Sequence, residues 1–333
     1  MKSLLHNPQQ ITKKIIFDVS SNPDIKAIEI ELSNELSESK GQVREMFTHI
    51  QNAGGKRIRP LLVLYSGMIF HGKREELIKA ASAAEIIHMA TLIHDDIIDS
   101  STLRRSKPSV NSVWGNTKAV LCGDSLFAKA FSILAKDRLI ESMDFMVEAI
   151  QNMCDGEIEQ ANDRFNPDID LETYYTRIRK KTAIFLECCC KSGAAAAGAG
   201  REYINLIGDF GLNLGIAFQI IDDVMDYYGD EEKMGKPKWE DLHEGNITLP
   251  LIMLLKEPEH GSYLRKALKG KNISPIEKEY VKTCLNKSDI YNQCCCFAKN
   301  HIIKAKENLK FLPESKYVNY LDNLADLLYQ RTN

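Results

Sequence analysis

Apolar residues recur every three or four positions through most of the chain, and the period of two that marks a half-buried strand is nearly missing. The clearest run extends from Lys73 to Asp99, where Ala80, Ala83, Ala84, Ile87 and Thr91 share one helical face. Similar patterns predict helices over Thr117–Asp137, Ser142–Asp163 and Glu202–Tyr228, and another capped near Asp170. Asn22-Pro23 reads as an N-cap followed by proline at the first helical position, opening a helix that Gly54-Gly55 stops. Pro60 opens the next, which runs toward His71-Gly72. Ser100–Ser109, Arg164–Ile169 and Gly229–Gly245 read as polar loops. The alanine and glycine run Gly193–Gly200 lies between periodic segments and predicts a close helix–helix contact. Ser274-Pro275-Ile276-Glu277 has the form of a capping box. With no internal repeat and no linker, the expectation is one all-α domain over residues 1–333.

Composition narrows the class. Of the 333 residues 44% are hydrophobic and 27% charged, which fits a globular protein. A net charge of −3 gives no basic footprint for nucleic acid. No uninterrupted apolar run reaches the roughly 18 residues of a membrane span, and the first residues lack the apolar core of a secretory signal. Nine cysteines include the triplets Cys188–Cys190 and Cys294–Cys296, with no Cys-x-x-Cys spacing. Adjacent helical residues point in different directions, so a triplet cannot chelate one metal from one face. These cysteines read as reduced packing residues, and the expected compartment is the cytoplasm.

Two acidic clusters change the picture. Asp95-Asp96-Ile97-Ile98-Asp99 and Asp222-Asp223-Val224-Met225-Asp226 share the form Asp-Asp-x-x-Asp, each near the end of a long predicted helix. Residues four apart share a face, so Asp95 pairs with Asp99 and Asp222 with Asp226. Like charges at the partially negative end of a helix repel, so a cation is expected there. All-oxygen ligands suit magnesium, which binds through one or two carboxylates, water and a substrate phosphate.

Anion-binding groups accompany them. Gly54-Gly55-Lys56-Arg57-Ile58-Arg59-Pro60 puts three basic residues on a glycine-initiated loop at a helix start, where backbone amides also favour an anion. Arg104-Arg105 follow the first acidic box; Lys180-Lys181-Thr182 lie mid-helix, and Lys236 lies in a charged loop. His88 precedes Asp95 by two helical turns and shares its face, whereas His94 points elsewhere and reads as structural.

In the order and spacing of these elements the chain resembles the trans-polyprenyl diphosphate synthases, the head-to-tail prenyltransferases. The likeness covers about residues 50–250. It takes in Gly54–Pro60, His88, the Asp95–Asp99 box with Leu103-Arg104-Arg105, Gly123-Asp124, Lys181-Thr182, Phe218–Asp223, Gly235-Lys236-Pro237 and Thr248-Leu249-Pro250. The resemblance implies a bundle of long helices around a central cavity, the isoprenoid synthase fold, normally a homodimer, with both boxes at the cavity mouth. It implies that Asp95, Asp99 and Asp222 hold Mg2+. Lys56, Arg59, His88 and Arg105 would then bind isopentenyl diphosphate. Arg104, Lys181, Thr182, Gln219 and Lys236 would contact an allylic prenyl diphosphate, with Lys181, Thr182 and Gln219 steadying the allylic cation.

Two departures stand out. The family commonly has glycine at Trp239 and lysine at Asn246; Lys238 lies close by in sequence as a substitute. One turn before the first box, Ala90 and Thr91 are small, where short-chain members of the family commonly carry an aromatic residue. A long all-trans product is therefore expected, with Phe127, Phe131, Met146 and Ile150 as candidates for a deeper floor. The alternatives are a farnesyl or geranylgeranyl diphosphate synthase, a non-catalytic partner subunit, and a terpene cyclase, which has no need of Lys56, Arg59 and Arg105.

Overall fold

A computed structural model describes residues 22–229, 238–270 and 273–330. In chain order the helices are α1 (Pro23–Ser37), α2 (Gly41–Asn52), α3 (Ile58–Ile69), α4 (Arg74–Ile98), α5 (Val110–Trp114), α6 (Asn116–Lys136) and α7 (Ile140–Asn162). Then come α8 (Leu171–Ile178), α9 (Ile184–Ala196), α10 (Arg201–Tyr228), α11 (Glu240–Glu244), α12 (Leu249–Lys256), α13 (Pro258–Lys269), α14 (Pro275–Lys287), α15 (Ile290–Leu309) and α16 (Lys316–Tyr329). The sole sheet among the described residues is a hairpin of β1 (Leu103–Arg104) and β2 (Lys107–Pro108). The all-α expectation holds.

The described residues form two compact units, drawn from Met1–Val147, Cys188–Gly208 and Phe311–Leu324 in the first, and from Glu148–Glu187, Asp209–Lys310 and Ala325–Asn333 in the second. In the first, α3 is apolar almost all round and buried along nearly its whole length, as a core helix must be. It packs on α4, which also lies along α6. A Cβ at Gly193 of α9 would lie 2.0 Å from the Val63 carbonyl oxygen, so only glycine lets α9 lie directly on α3. The close contact expected of the small-residue run is thus present at that position.

Capping follows the sequence closely. The Asn22 side-chain oxygen accepts from the Asp24 and Ile25 amides at 2.8 and 3.4 Å. Ser274 and Glu277 form the reciprocal capping box at the start of α14. One boundary differs. The segment expected to be one helix up to Gly54 breaks after Ser37 and resumes at Gly41 as α2. Residues 37–42 bury no side chain, so no packing energy holds a helix through them.

In the second unit, Tyr174, Ile220, Val224, Tyr227, Trp239 and Leu249 belong to one core cluster. Between α8 and α9, residues Arg179–Ala183 form a single π-helical turn. Helix α10 is the one described helix long and apolar enough to cross a membrane, and 61% of its most apolar stretch is buried in the protein. None of the nine cysteines is in a disulfide. Cys188–Cys190 and Cys294 are buried, while Cys296 is exposed.

Candidate active site

The first unit holds a cationic pocket lined by Arg57, His88, Arg104 and Arg105, with Glu85 and Asp96 among them. It is built by the end of α2 and the loop before α3, the second half of α4, and the β1–β2 hairpin with the start of α5. A Cβ at Gly55 would stand 2.7 Å from one Arg105 guanidinium nitrogen and 3.0 Å from one of Arg57, so glycine admits both groups against the backbone. At the turn, Arg105 and Ser106 both adopt positive φ, 51° and 61°, the conformation that two-residue hairpins favour.

Arg57 anchors the loop. It is buried, with φ at 52°, and its guanidinium reaches Glu29 at 2.5 Å and Glu85 at 2.6 Å. Arg59 places Nη1 3.1 Å from His88 Nε2. A guanidinium only donates, so Nε2 accepts and His88 is neutral in this contact. Burial first, then the positive charges of Arg59, Arg105, Arg104 and Arg57, hold the His88 pKa well below its ordinary value. Lys56 is exposed on the same loop.

The first acidic box closes α4, and its members differ in role. Asp96 is buried and accepts from Arg104 Nε at 2.9 Å and from a second nitrogen of the same guanidinium. Burial raises the Asp96 pKa, and Arg104 opposes the rise. Asp95 and Asp99 are half-buried, one helical turn apart, with the Asp99 amide donating to the Asp95 carbonyl at 2.8 Å. Ala90 is fully buried; Thr91 is half-buried, its hydroxyl donating to the His88 carbonyl at 2.9 Å. His94 donates from Nε2 to the Val120 carbonyl at 3.2 Å, and its ring lies tilted against Phe127 with centroids 5.7 Å apart.

The second unit carries the other box on α10. Asp222 is half-buried, whereas Asp223 and Asp226 are buried. The Asp226 carboxylate lies 3.3 and 3.4 Å from the Glu240 and Asp241 amides at the start of α11. It serves the backbone there, so Asp226 differs in its surroundings from half-buried Asp222. Asp223 accepts from Tyr174 Oη and Gln219 Nε2, both at 2.7 Å. Burial pushes its pKa up to about 6, against the pull of these two donors. Thr182 donates to Gln219 Oε1 at 2.6 Å, and Lys181 pairs with Glu157 at 2.8 Å. Both Thr182 and Lys181 lie in the π turn, a feature frequent at functional sites that the helical periodicity does not reveal. Lys236 lies outside the described residues.

Among the described residues no three His, Cys, Asp or Glu side chains come together as a metal site. The hub formed by Arg57 with Glu29 and Glu85 was missed in sequence. Its one signal was Glu85 itself, a lone charge among the buried residues Ala80–Ile87.

The model of the polyprenyl synthetase family matches residues 40–287. The chain belongs to that family. Heptaprenyl diphosphate synthase component 2 of Geobacillus stearothermophilus is 35% identical to it, over 91% of this chain and 94% of the relative. Geranylgeranyl diphosphate synthase of Saccharolobus solfataricus is 32% identical, over 88% and 91%. The crystal structure of a polyprenyl synthase from Caulobacter crescentus, complexed with calcium and isoprenyl diphosphate, superposes with a TM-score of 0.88 at 28% identity, covering 96% of this chain and 98% of that one. The fold is that of the isoprenoid synthases, and the family is one of prenyltransferases.

Proposed function

We propose that this polyprenyl synthetase elongates an allylic prenyl diphosphate with isopentenyl diphosphate, releases diphosphate, and makes a long all-trans product. The observation that carries the reading is the pocket of Arg57, His88, Arg104 and Arg105 beside the carboxylates that end α4. Lys56, Arg59, His88 and Arg105 bind the diphosphate of isopentenyl diphosphate. Arg104, Lys181, Thr182, Gln219 and Lys236 serve the allylic substrate. Asp95, Asp99 and Asp222 supply carboxylate oxygens to magnesium, whose charge stabilises the departing diphosphate. The cation left behind is attacked by the isopentenyl double bond, and a proton is then lost.

Relatives of similar identity are named for a heptaprenyl and for a geranylgeranyl product, so family membership alone does not set the length. Ala90 and Thr91 are too small to block a growing chain, which favours the longer product. The family match runs through residues of both compact units, which supports one functional domain. A homodimer in the cytoplasm completes the proposal, and nine cysteines outside any disulfide are compatible with that reducing compartment.

A second reading is favoured by the name of a relative. The Geobacillus relative is a "component 2", which suggests a chain that works beside another subunit. One assay separates the two. Purified protein is incubated alone with labelled isopentenyl diphosphate, several allylic primers and magnesium, and the products are sized. Elongation by the chain alone supports the first reading; no product with any primer overturns it.

A further inference from the structure

Four side chains of the second unit form a hydrogen-bonded line whose polarity follows from its chemistry. Tyr174 Oη and Gln219 Nε2 lie 2.7 Å from the two different oxygens of Asp223, and Thr182 Oγ1 lies 2.6 Å from Gln219 Oε1. Tyr174 and Asp223 are buried, and Thr182 nearly so. A carboxylate only accepts, so the Gln219 amide must turn its NH2 toward Asp223. Its oxygen then faces Thr182, and the Thr182 hydroxyl must spend its one proton on that oxygen. What remains on Thr182 Oγ1 is a pair of acceptor sites and no donor.

We propose that Asp223 and Tyr174 are positioning residues that fix the direction of this line, so that Thr182 presents lone pairs, never its proton, to the allylic cation. This rests on the prenyl-elongation reading above. An oxygen locked in that sense is attracted to a cation. It also resists capture by the cation, since a hydroxyl that becomes an ether must give its proton to a base, and an amide oxygen is a weak one. Asp223 thus acts on the reaction through Gln219 and Thr182, although it belongs to an acidic box. The pattern Asp-Asp-x-x-Asp alone would make it a metal ligand.

The line can be reversed and then restored. In Asp223→Asn, Tyr174 keeps donating to the remaining oxygen, so the new NH2 faces Gln219. The Gln219 amide then turns over and Thr182 becomes the acceptor. Turnover should fall about tenfold or more, with the Michaelis constant for isopentenyl diphosphate and the magnesium half-saturation within about twofold, as for an interaction made chiefly in the transition state. Adding Gln219→Glu exchanges the carboxylate and the amide, gives Thr182 an acceptor again at unchanged total charge, and should recover most of that loss. A readout independent of activity is the unfolding midpoint. Gln219→Glu alone sets two carboxylates against each other and should lower it by several degrees, and adding Asp223→Asn should bring it back. An unshifted midpoint in Gln219→Glu overturns the assigned direction. A turnover deficit in Asp223→Asn that the exchange leaves in place overturns the positioning role. A parent protein that elongates no primer sinks the functional reading itself, and the midpoints alone then uphold or overturn the direction of the line.

Discussion

Arg57 is the side chain whose removal should cost the first unit most. Arg57 is 4% exposed, and Glu85, which its guanidinium contacts at 2.6 Å, is 3% exposed. Truncation by Arg57→Ala strands the Glu85 carboxylate in a region with little access to water. Breaking a buried pair in this way costs about 3–5 kcal/mol, against a total stability of roughly 5–15 kcal/mol for a folded domain. The Glu29 contact adds less, because that carboxylate is 25% exposed and water can replace its partner. Relief of the left-handed backbone at residue 57 does not follow, since alanine meets the same steric cost there. Adding Glu85→Gln removes the stranded charge and should return at least about half of the loss. Urea unfolding of the parent, both single variants and the double variant closes the cycle. A loss below about 1 kcal/mol for Arg57→Ala, or no recovery in the double variant, would falsify the claim that this buried ion pair holds the loop.

Four further outcomes are expected. Alanine at Asp95 or Asp222 should cut turnover by about a hundredfold or more with the helices intact by circular dichroism, and excess chelator should do the same to the parent; normal activity in either case removes the carboxylates from the proposed metal set. Arg105→Ala should chiefly raise the Michaelis constant for isopentenyl diphosphate and Lys236→Ala that for the allylic substrate, and equal effects on both would show the two assignments to be wrong. Phenylalanine at Ala90 should shorten the product to about three or four isoprene units; because Ala90 is fully buried, about 1–3 kcal/mol of overpacking is expected too, so folding is checked and half-buried Thr91→Phe serves as a companion. His88 is held neutral, with a folded pKa below its unfolded value, so its contribution is fully present above about pH 6.5 and is lost as pH falls. The parent should therefore lose stability faster than His88→Gln below that pH, by up to roughly 1.4 kcal/mol per unit, and parallel curves would count against it.

Much of the fold was legible because local chemistry decides it. The caps at Asn22, Asp170 and Ser274 are set by side chains within three residues of the amides they satisfy, and each is present. The long helix before the first acidic box was fixed by its apolar face and ends one residue short of the expected Asp99. What stayed hidden depends on partners far along the chain. Arg57 meets a glutamate 28 residues away on each side, and Tyr174 meets Asp223 across 49 residues. The π turn at Arg179–Ala183 keeps the apolar pattern of a helix, so periodicity passes over it. The hairpin that carries Arg104 and Arg105 pairs only two residues on each side, too few for alternation to register.

The two Asp-Asp-x-x-Asp boxes look interchangeable in sequence, and hydrogen bonding makes them unlike. Asp96 is buried under the Arg104 guanidinium, Asp223 under Tyr174 and Gln219, and Asp226 at the start of α11. Burial raises the cost of leaving a carboxylate charged. The half-buried members are Asp95, Asp99 and Asp222, the same three that the family resemblance proposes as magnesium ligands. Asp226 does a different job, and Trp239 shows how. In a position where the family commonly has glycine, Trp239 takes φ 72°, a strain of about 1–2 kcal/mol for a residue with a side chain. Its amide donates to the Asp226 carbonyl at 3.0 Å, and its ring meets Tyr227 edge-on at 5.0 Å while nearly buried. An aromatic pair of this kind contributes about 0.5–1.5 kcal/mol beyond the area it buries, enough to offset much of the strain. Tryptophan therefore keeps the left-handed turn that glycine would give, and Asp226 fastens that turn from both its backbone and its side chain.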